Sequence, residues 1–103
     1  MSATLTAPDD RPEETATHLE ALRQAMSARG FTTRVVQPVT GDPYVRVVNM
    51  DVGQLAEDVR VGYYNGELCY LYSWGQPIAP VRHLDSAAER LAYVLTPERA
   101  VGR

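Results

Sequence analysis

Cys69, His83 and Asp85 are the residues of this chain that could do nucleophilic chemistry together, as thiolate, imidazole and carboxylate. That chemistry needs the imidazole within hydrogen-bond reach of the thiol and a third group to orient it. The spacing enforces neither. Cys69 falls in the middle of a strand-like run, where a small side chain that packs is the ordinary reason for a cysteine. Two histidines and one cysteine are too few and too scattered for a closed structural zinc site. No G-x-x-x-x-G-K-[ST] or G-x-G-x-x-G stretch is present to cradle a phosphate. Pro77-Ile78-Ala79-Pro80 matches P-x-x-P, but four residues match too easily, and the segment reads as a rigid bridge from strand to helix. The expectation is a protein that is not an enzyme and takes no cofactor or metal.

Two sets of residues could instead do binding chemistry. Tyr70, Tyr72 and Trp74 alternate along one run, with Tyr63 of the preceding run on the same face. They form a candidate pocket for a flat ligand, or a stacking surface for bases. Against this stands an aromatic core beneath helices rich in Ala, which need bulk opposite them. The second set is Arg34, Tyr44, Arg46, Val48, Arg60, Tyr64 and Leu71. Arginine with aromatic residues is the composition that protein interfaces favour. An uncovered sheet face must also be wetted, and arginine does that without any partner.

Which set faces where depends on the elements. A helix starts near Asp10, which stands three residues before Glu13 as a variant capping box, with Pro12 in the first turn. Leu19, Leu22 and Met26 form its apolar stripe, and Gly30 stops it. Four strand-like runs follow: Phe31–Gln37, Tyr44–Asn49, Glu57–Tyr64 and Glu67–Trp74. Asn65-Gly66 predicts a two-residue type I′ hairpin between the last two. The two prolines of residues 77–80 rule out a central strand there. Asp85 or Ser86 then caps a second helix with Leu84, Ala88, Leu91, Ala92 and Leu95 on its apolar stripe, and Thr96-Pro97 ends it. The order α-β-β-β-β-α predicts a two-layer α+β fold: a four-stranded antiparallel meander with two helices on one face. Residues 1–9 read as a flexible tail and residues 10–103 as one domain.

The hairpin fixes the register of its strands. Tyr64 should oppose Glu67, Tyr63 should oppose Leu68, and Val61 should oppose Tyr70. One face then carries Val59, Val61, Tyr63, Leu68, Tyr70, Tyr72 and Trp74. The more polar face carries Asp58, Arg60, Gly62, Tyr64, Cys69, Leu71 and Ser73. The apolar set belongs under the helices, joined by Phe31, Thr33, Val35, Val45 and Val47. The interface set falls on the uncovered side.

Charge narrows the partners. The chain has 103 residues, a net charge of −3, and no lysine among its basic residues. Asp9, Asp10, Glu13 and Glu14 stand near the N-terminus against Arg11, while the remainder balances nine acids with nine arginines. A general nucleic-acid binder carries a basic excess to displace counterions, and none exists here. There is no apolar run long enough to span a membrane and no secretory pattern near Met1. With a single cysteine, these features predict a cytoplasmic protein. The lack of lysine and the richness in Ala, Val and Arg are the usage of a GC-rich genome.

The stretch Glu67-Leu68-Cys69-Tyr70-Leu71-Tyr72-Ser73-Trp74-Gly75-Gln76-Pro77-Ile78-Ala79-Pro80, followed by an Ala-rich helix, resembles a group of small uncharacterised actinobacterial proteins. Their aromatic strand ends in Trp-Gly-x-Pro-Ile, and they are often encoded near helix-turn-helix regulators. The resemblance covers residues 57–95 best. It implies a regulatory or accessory role and brings no site residues. The element order is also similar to double-stranded-RNA-binding domains. However, Asp85-Ser86-Ala87-Ala88-Glu89 opens the second helix where that family places a basic cluster. The resulting expectation is a non-catalytic domain that binds another protein, or itself as a homodimer, through its open sheet face. The alternative is a small-molecule module built on the aromatic strand.

Overall fold

The computed structural model describes residues 12–51 and 55–96. The expected tail, the Asp10 cap and Pro97 of the expected helix stop lie outside the described residues. The fold is α+β: helix α1 (Pro12–Ala28), strands β1 (Thr32–Val36), β2 (Tyr44–Val48), β3 (Ala56–Tyr64), β4 (Glu67–Leu71) and β5 (Pro77–Pro80), and helix α2 (Leu84–Val94). The sheet order is β1-β2-β3-β4-β5, antiparallel throughout.

The expected four strands are therefore five, and the extra one is β5. Proline lacks the N–H that a central strand must donate, but β5 is an edge strand, where one side needs no donor. Its pairing steps from Tyr70↔Ala79 to Leu71↔Pro77, so Ile78 is an extra residue at a bulge. Regular alternation would expose one of two neighbours. The bulge lets both Ile78 and Ala79 turn inward, at 1% and 4% exposure. Arg90 Nη1 donates to the Ile78 carbonyl at 2.6 Å and ties α2 to this edge.

α1 ends as its sequence requires. Gly30 has φ +96°. The Gly30 N–H donates to Ser27 O at 3.0 Å and the Phe31 N–H to Met26 O at 3.2 Å, a paired closure of the last turn. α2 starts at Leu84, before the expected caps Asp85 and Ser86. His83 takes the cap position with no side-chain hydrogen bond, while its carbonyl accepts from the Ala87 N–H at 3.1 Å. Asp85 in the first turn answers the positive end of the helix.

One hydrophobic cluster unites the layers. Leu19, Leu22 and Met26 of α1 and Ala87, Ala88 and Leu91 of α2 meet Val45, Val47, Val59 and Tyr70 of the sheet. Both helices thus lie on the same sheet face. Tyr70 is 1% exposed, and its hydroxyl donates to His18 O of α1 at 2.8 Å. That bond satisfies the one polar atom of an otherwise apolar burial.

Asn65 at φ +53° and Gly66 at φ +82° form the expected I′ turn, with Tyr64↔Glu67, Tyr63↔Leu68 and Val61↔Tyr70 in register. Three inward positions differ from expectation, Tyr63, Val35 and Trp74, the last of which leaves the sheet in the turn after β4. Tyr63 is 53% exposed, because the hairpin tip runs past the helix layer; Tyr64 beside it is exposed as well. Val35 is 37% exposed, as suits an edge strand.

Candidate functional site

The aromatic run does not stay on one strand face. β4 stops at Leu71, and Tyr72–Gln76 forms the turn into β5. The Tyr72 N–H donates to Gln76 O and the Gly75 N–H to Tyr72 O, both at 2.8 Å, with Gly75 at φ +97°. This is the three-residue hairpin loop that needs a left-handed third residue. Trp74 therefore leaves the core face, corrected from the inward position expected for it, and is 59% exposed. It stacks on Tyr72 with ring centroids 4.5 Å apart and planes 5° from parallel. Its indole N–H donates to Gln76 Oε1 at 3.0 Å.

The four pocket candidates are consequently dispersed. Tyr70 is sealed in the core, Tyr63 stands at the hairpin tip, and Trp74 lies outside on Tyr72. A shallow cleft of about 420 Å³ is lined by Tyr72 with Glu89, Arg90, Tyr93 and Val94 of α2. Only Tyr72 of the four lines it. Burial, Glu57 and, in the opposite sense, Arg90 act on the Tyr72 hydroxyl, with a net upward push on its pKa.

The nucleophile set is not assembled either. Cys69 is 5% exposed, and burial pushes its thiol pKa upward, away from the thiolate that nucleophilic chemistry uses. His83 and Asp85 are exposed at the start of α2. Among the described residues no three His, Cys, Asp or Glu side chains group as metal ligands.

The sheet face that no described helix covers, the uncovered face, is organised in rows set by the register. Arg34 pairs with Arg46, and Arg46 with Asp58. Val36 pairs with Tyr44, and Arg60 with Leu71. Thr32 pairs with Val48, and Tyr64 with Glu67. All seven interface candidates thus fall on this face: Arg34, Arg46, Arg60 and Tyr64 exposed, and Tyr44, Val48 and Leu71 half-buried.

Its electrostatics are uneven. Arg46 Nη2 donates to Asp58 Oδ2 at 3.1 Å. Glu67 is paired with Arg82, the residue that follows β5 and Val81. Among the described residues, Arg34 and Arg60 have no ion pair. Arg34 stands directly opposite Arg46, and like charges opposite one another destabilise a strand pair.

The face is also partly self-covered. Gly62 pairs with Cys69, and Cys69 with Pro80, yet the cysteine of this row is buried. A Cβ at position 62 would lie 2.9 Å from Leu71 Cδ1, so Leu71 leans across Gly62. The cross-strand lean of Leu71 and the Arg82–Glu67 pair were not readable from single-strand patterns.

No family model matches this chain, and no curated protein and no solved structure matches it.

Proposed function

We propose that this chain is a non-catalytic interaction domain whose uncovered sheet face binds an acidic protein partner. The carrying observation is the opposition of Arg34 to Arg46, with Asp58 drawn to Arg46 alone. Arg34 is left as a positive charge facing another positive charge. Asp58 offsets the charge of Arg46, while Arg34 has no ion pair among the described residues; a local rule broken in this way is expected at functional sites. Arg60 adds a second charge without an ion pair among the described residues, and Tyr44, Val48 and Leu71 supply the apolar surface between the strands.

The same charges argue about self-association. A second copy pressed face to face would have to answer Arg34 and Arg60 with the acids of that face, Asp58 and Glu67. Glu67 pairs with Arg82, and Asp58 gives Oδ2 to Arg46 while its Oδ1 is buried and without a hydrogen bond. A foreign acidic surface meets no such competition. The accessory or regulatory role implied by the Trp-Gly-x-Pro-Ile resemblance is compatible with such a partner.

Reversing the charges of Arg34 and Arg60 tests this. The double variant Arg34→Glu, Arg60→Glu should keep or raise the parent's unfolding midpoint, because a carboxylate at position 34 would face Arg46, and should lose the proteins that the parent retains from a lysate of its host. Unchanged retention would contradict the reading.

A further inference from the structure

We infer that the outer edge of β1, which pairs with no strand among the described residues, takes up an extended segment of the partner as an added strand, with acidic residues beside Arg34 and apolar residues beside Val35. This rests on the reading above, that the uncovered face binds an acidic partner. The two edges of the sheet are built differently. β5 carries prolines at both ends and a bulge, devices that blunt an edge against pairing. β1 has neither: Thr32-Thr33-Arg34-Val35-Val36 pairs with β2 residue for residue, without a shift. Its outer backbone groups form a regular template for strand addition.

The side chains say what kind of strand fits. Residues of an added strand alternate between the two faces. Those on the uncovered face would lie beside Arg34, which has no ion pair among the described residues. Those on the helix side would lie beside Val35, a 37% exposed valine next to the core. Alternating acidic and apolar residues therefore complement both. A second copy of β1 does not, since β1 contains no carboxylate and would set Arg34 near its own equivalent.

The probe is a short synthetic peptide alternating Glu and Val, followed by amide hydrogen exchange and NMR shifts on the full chain. Slowed exchange within Thr32–Val36 and none at β5 is the expected result. Methylating alternate peptide nitrogens should abolish binding, and Arg34→Glu should weaken it about tenfold or more. Shifts at Arg60 and Tyr64 without protection of β1, or full affinity after N-methylation, would overturn the edge inference and leave the face reading standing. Equal affinity for a Lys and Val peptide, or no binding at about 1 mM, would also overturn it. The charge reversal of the preceding section judges the face independently.

Discussion

Leu71 leans across Gly62, so that a Cβ at position 62 would stand 2.9 Å from Leu71 Cδ1. The glycine makes room for a neighbouring strand's side chain on the uncovered face. Gly62→Ala should cost no more than about 0.5–1.5 kcal/mol in denaturant unfolding, because the atom displaced is the tip of a half-buried side chain that can change rotamer. With Leu71→Ala already present, that cost should largely vanish, a coupling read by a double-mutant cycle. Strictly additive effects would show that the contact is absent in solution.

Docking of α2 gives a second expectation. Leu91 is fully buried between α2 and the sheet. Leu91→Ala should lower the unfolding free energy by about 2–5 kcal/mol. A loss below about 0.5 kcal/mol, the range of surface substitutions, would mean that α2 is not docked as described.

Tyr70 makes stability depend on alkaline pH. Its burial pushes the hydroxyl pKa up to about 12 from an ordinary 10.0. The folded state therefore favours the protonated form. Stability from this group is fully present below pH 10.0, and falls as pH rises from there through about 12. Tyr70→Phe should flatten that decline while losing the hydrogen bond to His18 O, worth about 1 kcal/mol. An identical alkaline slope in Tyr70→Phe would contradict the assignment.

Much of this was legible from residue types. Leu19, Leu22 and Met26 marked the buried face of α1, and Asn65-Gly66 set the β3–β4 register that placed Arg60, Tyr64 and Leu71 together. β5 was not legible as a strand, because proline argues against pairing unless the strand is known to be an edge. Trp74 was misplaced because its alternation with Tyr72 continues the strand pattern. The competing signal was Gly75, whose left-handed backbone closes the loop. Tyr63 faces the side expected, but nothing in its own strand says where the helix layer ends. The opposition of Arg34 to Arg46 needed the register across residues 37–43, a loop with no two-residue turn to fix it.

Nucleic acid should not be a general ligand. Outside residues 1–14 the chain balances its charges, so counterion release supplies little. Duplex DNA or RNA should show no affinity tighter than about 1 μM at physiological salt, measured by fluorescence anisotropy. Tighter binding would contradict the reading of this chain as a protein-binding domain without general affinity for nucleic acid.

Site-specific photo-crosslinking tests the central claim most directly. A photoreactive residue replaces Arg60 on the uncovered face in one variant, and Tyr93 on the exposed side of α2 in another. Both are expressed in the producing cell. The expected result is a discrete protein adduct at position 60 that disappears when Arg34→Glu is added, with no such adduct at position 93. An adduct at 93 and none at 60 would contradict the account and move the binding surface to the Tyr72–Tyr93 cleft.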